Sequence, residues 1–189
     1  SSTSSAYSLS NPIPNKEDMP KDCLNPYSVS KTSGEELCQM YSRLFGLETV
    51  IFRYFNVFGE HQPTKGQYAP VVGLFQRQHA SGKPMTVVGD GYQRRDYTHV
   101  SDVVEANILA SVCEDPNAIG QIFNIGSGMN YNIHDIVEMV GGKDANFEYI
   151  PERPGESRET LSDCSKAHNI LGWKPKVRLE EWLSHEKVS

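Results

Sequence analysis

Several features that would point to particular functions are missing from this sequence. It has four cysteines in 189 residues, and no two of them form a Cys-x-x-Cys pair. This spacing disfavours both a zinc site and a disulfide framework, and it favours free thiols in a reducing cytoplasm. No apolar run approaches the roughly 20 residues of a membrane-spanning helix. We therefore expect a cytoplasmic protein with no metal and no membrane partner.

Positive charge is also sparse. The net charge is −6, and no Lys/Arg block is longer than the pair Arg94–Arg95. A nucleic-acid surface needs a basic patch, so we expect no nucleic-acid partner, although single arginines could bind a small phosphate ligand. We interpret Arg94 as the solvated neighbour of Arg95.

Helical and strand-like segments alternate along the chain. Residues 27–45 predict a helix that Gly46 ends, and residues 47–59 predict a buried strand and the turn after it. The remaining pattern predicts loops at 9–26 and 60–70 and helices at 71–81, 132–142 and 163–173. It also predicts a strand followed by a turn or loop in each of the segments 83–91, 121–128 and 147–156. This alternation predicts an α/β fold, and the length suits one domain or one and a half.

Three short stretches have structural interpretations. Ser101 or Asp102 could cap a helix over the apolar run that follows them. We interpret His99 and Asp102 as structural residues. The sequence Gly-Ser-Gly at 126–128 lacks the third glycine of a dinucleotide-binding loop, so it predicts a turn.

The stretch NPYSVSK places Tyr27 and Lys31 four residues apart at the start of the predicted helix. Residues at this spacing share one helical face. Tyrosine is ordinarily a poor base near neutral pH, but a neighbouring ammonium group stabilises a phenolate, and such a pair suits proton removal from an alcohol. Many helices hold a Tyr and a Lys at this spacing by chance, so the pair alone does not establish a site.

Seven segments taken together are more specific, because their order and spacing match one family over nearly all 189 residues. They are SSTSSAYS (1–8), PYSVSK (26–31), RYFNVFG (53–59), VVGDGYQRRDYTHVSDV (87–103), FNIGSG (123–128), RPGE (153–156) and LGWKPK (171–176). The chain resembles the extended short-chain dehydrogenases/reductases, specifically the NAD-dependent sugar-nucleotide epimerases and dehydratases.

The resemblance implies a catalytic centre and a cofactor. Tyr27 and Lys31 match the family's catalytic pair and also contact NAD, whose nicotinamide ribose the lysine holds. Thr3 matches the family's catalytic Ser/Thr, four residues before Tyr7, although the glycine that usually follows that tyrosine is replaced by Ser8. Tyr54 and Phe55 are expected near the cofactor.

The resemblance also implies a substrate site for a nucleotide sugar. Guanidinium groups suit phosphate because they bind it with two hydrogen bonds. The matching positions are Asn56 and Arg95 for the sugar diphosphate, Arg153 for the diphosphate and ribose, Glu156 for the ribose hydroxyls, and Thr86 and Val88 for a uracil or thymine base.

Within the family, the residues after the catalytic Ser/Thr separate the reactions. The dehydratases carry a carboxylate there to eliminate water, whereas this chain has Ser4-Ser5, which favours NAD-dependent 4-epimerisation of a UDP-sugar through a 4-keto intermediate. Four residues after Glu156, epimerases restricted to UDP-glucose and UDP-galactose carry a tyrosine. Thr160 stands there, so we expect room for an N-acetyl group and hence use of UDP-N-acetylhexosamines. A dTDP- or UDP-sugar dehydratase remains the alternative.

The resemblance covers only part of the family's fold, since no GxxGxxG loop follows a strand in this sequence. It implies the C-terminal part of a Rossmann-like doubly wound parallel sheet (1–60, with the catalytic helix) and a smaller α/β substrate-binding lobe (61–189). We expect a chain that does not turn over by itself. A non-catalytic module that binds nucleotide sugars or partner chains is a further alternative. Family members dimerise through the helix at 27–45, so a homodimer is expected.

Overall fold

The computed structural model describes residues 1–7, 10–64, 69–152, 155 and 157–186. Within these ranges the helices are α1 (Pro26–Phe45), α2 (Val71–Ala80), α3 (Val100–Ser111), α4 (Ile133–Gly141), α5 (Ser165–Leu171) and α6 (Leu179–Glu186). The strands are β1 (Ser2–Thr3), β2 (Val50–Tyr54), β3 (Val57–Phe58), β4 (Met85–Val88), β5 (Arg94–Asp96), β6 (Thr98–His99), β7 (Gln121–Ile125), β8 (Asn130–Asn132) and β9 (Phe147–Ile150).

A parallel sheet in the order β1-β2-β7 forms the first half of the fold. Its buried side chains, among them Phe52 and Phe123, form one apolar core with Ala106 of α3 and with Trp173 after α5. Consecutive strands of this sheet are joined through helices, as parallel pairing requires. The predicted α/β class is confirmed.

Three two-stranded pairs complete the described strands: β3-β6 and β4-β9 are parallel, and β5-β8 is antiparallel. A second core lies beneath them, where Met85 and Val87 of β4 contact apolar residues of α2, α4 and α6. The cleft that holds the site is lined by members of this second core, among them Phe58 and Val72.

The residues at the two ends of helix α1 determine where it begins and where it stops. Asn25 and Ser28 form a reciprocal capping box, Pro26 occupies the first turn, and Gly46 ends the helix in the left-handed conformation at φ 68°. The bounds agree with the predicted helix at 27–45. Its buried face is polar, however, with Ser28, Thr32 and Glu35 against the sheet, while most of its apolar residues are exposed: Val29, Leu37, Tyr41, Leu44 and Phe45.

The expected cap of α3 was wrong. The helix begins at Val100, and His99 caps it by accepting a hydrogen bond at Nδ1 from the Ser101 amide at 3.2 Å. Histidine is not a preferred cap, so propensity favoured the serine or the aspartate that follow. Asp102 is structural as predicted: it is buried, and its carboxylate accepts hydrogen bonds from the amides of Lys176 and Val177 at 3.1 Å each.

The other predicted elements agree with the structure to within a few residues. The Gly-Ser-Gly segment at 126–128 forms a turn, as expected, with Gly128 at φ 71°. The run 47–59 is divided into β2 and β3 by Phe55 and Asn56. No helix in the described part of the chain is both long and apolar enough to cross a bilayer.

Candidate functional site

A cleft of about 430 Å³ lies where the two halves of the fold meet. It gathers the turn after β1, the cap of α1, the start of α2, strands β4 and β5, and the residues Gly155, Ser157 and Thr160. Five of the residues predicted to bind substrate line it: Asn56, Thr86, Val88, Arg95 and Thr160. These residues are spread over more than 100 positions of the sequence, so the fold brings them together.

Arg95 carries the positive charge of the cleft. It is the only Lys or Arg among the described residues that line this space. Its Nη1 atom donates to the Arg94 carbonyl at 3.0 Å and to the Arg158 carbonyl at 3.4 Å. These bonds orient the guanidinium group beside the cleft, where it can bind an anion.

Arg94 is not merely a solvated neighbour, and that interpretation was wrong. Its Nε and Nη2 atoms donate to the Oδ1 and main-chain oxygens of Asn130, both at 2.8 Å, and Glu159 lies 3.6 Å away. Strand β5 points alternate side chains to opposite sides, so the two arginines act on different neighbours. Arg94 ties β5 to β8, while Arg95 borders the cleft.

Asp96 organises the wall behind these residues. It is buried, and its carboxylate accepts hydrogen bonds from the amides and hydroxyls of Ser127 and Ser162 and from the Gly128 amide, at 2.6 to 3.1 Å. Burial raises the pKa of this carboxyl, and the hydrogen bonds oppose the shift. The aspartate joins β5, the turn at 126–128 and the segment around Ser162 in one rigid support.

Thr160 and Asn56 are held by main-chain contacts. Thr160 is only 5% exposed, and its amide donates to the Arg94 carbonyl at 3.1 Å. Asn56 has the unusual φ of 20° and donates from Nδ2 to the Asp96 carbonyl at 2.7 Å. Both side chains border the cleft with their backbones fixed.

The main chain of β4 already has side-chain partners. The Thr86 amide donates to Gln78 at 3.2 Å, and the Val88 carbonyl accepts from Gln93 at 2.9 Å. A base bound along this strand would displace these glutamine contacts. The role of Thr86 and Val88 in base binding stays a prediction.

The predicted catalytic pair lies at the N-terminal end of α1, two to six residues after Asn25, which borders the cleft. The Lys31 ammonium is 6.0 Å from the centroid of the Tyr27 ring, and Tyr27 is 54% exposed. Lys31 Nζ is also 3.4 Å from the carbonyl and hydroxyl oxygens of Ser1. The pair is therefore accessible on one helical face, as its spacing predicted.

Thr3 occupies the end of β1 and is buried. Its hydroxyl accepts from the Ser5 amide at 3.1 Å and contacts the Ser5 hydroxyl at 3.2 Å, so it caps the short turn that follows. Ser4 and Ser5 line the cleft. No Asp or Glu is among the described residues that do so.

The two residues expected near the cofactor differ in accessibility. The Tyr54 hydroxyl exchanges hydrogen bonds with Asn107 at 3.1 to 3.3 Å. Phe55 is 0% exposed as a whole residue and stacks on Tyr7, so neither its side chain nor its main chain presents a surface to a cofactor in this structure. Arg153 and Glu156 lie outside the described residues.

A buried ion pair supports α1, and the sequence alone did not predict it. Glu35 accepts two hydrogen bonds of 2.7 Å from Arg53 and one of 2.5 Å from the Ser2 hydroxyl. Burial raises the pKa of the Glu35 carboxyl, but these hydrogen bonds outweigh burial, so that the pKa lies below its ordinary value. Ser2 adjoins Thr3, and Glu35 lies one turn after Lys31. The available signal was the spacing of Ser28, Thr32 and Glu35, which puts three polar residues on one helical face.

In the described part of the chain, no cluster of three or more His, Cys, Asp or Glu side chains could hold a metal ion. The described residues of the site supply hydroxyls, amides, one ammonium and one guanidinium group. Such a donor set suits a phosphorylated, hydroxyl-rich ligand.

The chain is similar to known proteins over nearly its whole length. The model of a family described as GDP-mannose 4,6 dehydratase matches residues 1–185. A Methanocaldococcus jannaschii protein described as a putative UDP-glucose 4-epimerase is 36% identical over 186 residues, which are 97% of this chain and 59% of that protein. The chain thus spans little more than half the length of this relative.

Two solved structures are also similar. UDP-glucuronic acid 4-epimerase from Bacillus cereus, in complex with UDP-glucuronic acid and NAD, has a TM-score of 0.88 and 35% identity, over 97% of this chain and 57% of its own. UDP-glucose 4-epimerase from Thermotoga maritima, with UDP-glucose, has a TM-score of 0.89 and 33% identity, over 100% and 63%.

Proposed function

Because the chain belongs to the GDP-mannose 4,6 dehydratase family of extended short-chain dehydrogenases/reductases, we propose that the whole protein carries out NAD-dependent 4-epimerisation of a UDP-hexose or UDP-N-acetylhexosamine through a 4-keto intermediate. The observation that carries the proposal is the cleft beside Arg95. Its volume of about 430 Å³ lies in the usual range for small-ligand sites, and its lining combines one cation with amide and hydroxyl groups. Residues 61–189 supply most of this lining, which supports their assignment as the substrate lobe.

The lining favours epimerisation over dehydration. Elimination of water from a sugar needs an acid and a base beside the ring. The described residues of the cleft include no carboxylate, and the turn after Thr3 presents Ser4 and Ser5 instead. Besides a hydride acceptor, reversible oxidation of one hydroxyl needs only a group that takes up a proton and returns it.

Tyr27, Lys31 and Thr3 supply that group. The Tyr27 phenolate, whose negative charge the Lys31 ammonium on the same helical face stabilises, takes the proton of the sugar 4-hydroxyl, and the Thr3 hydroxyl relays it. Tyr27 and Lys31 would hold the ribose of NAD, and Tyr54 would border its nicotinamide. When bound, NAD supplies a hydride acceptor at the sugar carbon. No GxxGxxG loop for its pyrophosphate occurs in the 189 residues.

The substrate class follows from Thr160. Its side chain is small and borders the cleft, so it leaves space that a tyrosine would fill. We expect Thr160→Tyr in the whole protein to abolish use of UDP-N-acetylglucosamine and to retain use of UDP-glucose. Equal loss of both substrates would contradict the assignment. UDP-glucuronic acid should be assayed as a third substrate in the same experiment.

Nucleotide binding by the 189-residue chain tests the proposal directly. Isothermal titration should give micromolar binding of UDP, no binding of NAD and no epimerase turnover. Arg95→Ala should abolish UDP binding, and Arg94→Ala, a matched control that removes the contact with Asn130, should retain it. Absence of UDP binding by the folded wild-type chain would refute the substrate site. Binding of NAD would refute the expectation that this chain binds the nucleotide of the substrate and not the cofactor.

We also propose that the protein is a homodimer through α1. The outer face of this helix exposes large apolar side chains, with Leu37, Leu44 and Phe45 each more than half exposed. Sedimentation should show a dimer that Leu37→Glu with Leu44→Glu converts to a monomer. A monomeric wild-type protein at tens of micromolar would refute this interface.

A further inference from the structure

Tyr97 has a buried hydroxyl without a partner. The residue is 4% exposed, and its hydroxyl oxygen forms no hydrogen bond with any described residue. A few other buried side-chain atoms share this condition, but Tyr97 is the only one of those residues that lines the cleft. Buried polar atoms are almost always paired, so an unpaired one calls for an explanation.

Packing alone does not explain the hydroxyl. The Tyr97 ring belongs to the core that contains Phe58 and Val72, a position that phenylalanine would fill equally well. Tyr7 provides the contrast, because its buried hydroxyl donates to Asn124 at 2.7 Å. Among the described residues two tyrosines are buried, and only one of their hydroxyls has a hydrogen-bond partner.

Tyr97 lies close to the cation of the cleft along the chain. It follows Arg95 by two residues and comes directly after the end of β5, and both residues line the cleft. Asp96, between them, binds Ser127 and Ser162 instead. An anion bound by Arg95 therefore occupies the space that Tyr97 also lines.

The phenol is suited to donate a proton in a hydrogen bond. Burial raises the pKa of Tyr97 above its ordinary value, and the charge of Arg95 only partly opposes this. The hydroxyl therefore stays neutral at physiological pH. Phosphate oxygens accept such hydrogen bonds readily.

We infer that the Tyr97 hydroxyl donates a hydrogen bond to a phosphate oxygen of the nucleotide ligand, beside Arg95, and is thus a ligand-binding residue. The inference rests on the proposed nucleotide-sugar site. Binding of the ligand gives the hydroxyl the hydrogen-bond partner that it lacks in the free protein. Part of the affinity for the ligand therefore comes from removing the cost of an unpaired buried hydroxyl.

The test compares Tyr97→Phe with Tyr7→Phe, because each variant deletes one buried hydroxyl. Urea unfolding without ligand should show Tyr97→Phe at least as stable as the wild-type chain and Tyr7→Phe less stable. Isothermal titration should show the Kd for UDP raised about five- to tenfold by Tyr97→Phe and unchanged by Tyr7→Phe. Uridine, which has no phosphate, should bind the wild-type chain and Tyr97→Phe equally.

Three results would overturn the inference. Unchanged UDP affinity in Tyr97→Phe would mean that the hydroxyl does not contact the ligand. Equal weakening of UDP and uridine would place the contact on the nucleoside. Loss of stability matching that of Tyr7→Phe would mean that the hydroxyl has a partner in the free protein. These three results would leave the proposed function intact. Failure of the wild-type chain to bind UDP would instead refute the proposed function, and the inference with it.

Discussion

Replacing Glu35 by alanine should destabilise the protein severely. The side chains of Glu35 and Arg53 are 0% and 1% exposed, and two hydrogen bonds of 2.7 Å join them. Without the carboxylate, the Arg53 guanidinium would remain buried with its charge uncompensated. Removing one partner of such a pair costs about 3–5 kcal/mol, out of a total free energy of unfolding of about 5–15 kcal/mol.

Thermal and urea unfolding of the 189-residue chain measure the effect. For chains of this length each kcal/mol lowers Tm by about 2–4 °C, so Glu35→Ala should lower Tm by about 10 °C. The matched control is Glu36→Ala. Glu36 is the next residue and also forms a salt bridge, with Lys21 at 3.1 Å, but its side chain is 70% exposed. Exposed pairs contribute about 0–1 kcal/mol, so this control should be nearly neutral.

A double replacement separates the charge from the packing. Glu35→Met with Arg53→Met removes both charges and keeps the volume, so it should be much closer to the wild-type stability than Glu35→Ala alone. The reasoning is refuted if Glu35→Ala is no more destabilising than Glu36→Ala. It is also refuted if the double variant is as unstable as the single one, since the loss would then come from packing.

Three further predictions follow from the same geometry. The lowered pKa of Glu35 contributes stability that is fully present above the ordinary carboxyl pKa and is lost as pH falls through the lowered value. The free energy of unfolding should therefore fall less steeply with decreasing pH in Glu35→Ala than in the wild-type chain. An equal dependence on pH in the two proteins would contradict this. Burial raises the pKa of the Cys164 thiol to about 12, so a thiol reagent should label the exposed Cys38 far faster than Cys164 in the native state, and equal rates would contradict the structure. Asp102→Ala leaves the amides of residues 176–177 without their acceptor and should lower the free energy of unfolding by about 1–3 kcal/mol; an unchanged urea midpoint would contradict this role.

Local signals in the sequence were enough to predict much of the fold. The limits of α1 follow from the capping residue Asn25, from Pro26 and from Gly46, all of which act within a few residues of the helix ends. The turn at 126–128 follows from its glycines in the same way. Five cleft residues were also predicted, but from their match to a family's motifs and not from any local rule.

Contacts between distant residues could not be predicted. Glu35 and Arg53 are 18 residues apart, and nothing in either local pattern shows that both charges are buried. The separate roles of Arg94 and Arg95 depend on which side of β5 faces the cleft, a choice made by the packing of β8 and of residues 157–160. The unpaired hydroxyl of Tyr97 is a property of the packed interior, since an isolated tyrosine in a strand pattern predicts only burial.

Asn25 connects helix α1 to the wall of the cleft. Its Oδ1 atom accepts from the Ser28 amide at 2.9 Å and so caps α1, while its Nδ2 atom donates to the Gly155 carbonyl at 3.3 Å. One amide side chain therefore links the helix that carries Tyr27 to the segment that leads to Thr160. At the other side of the helix, Glu35 fixes α1 to β1 and β2 through buried hydrogen bonds. A helix held at both points cannot rotate without breaking one of them, so the position of Tyr27 relative to a ligand in the cleft is set by the fold before any ligand binds.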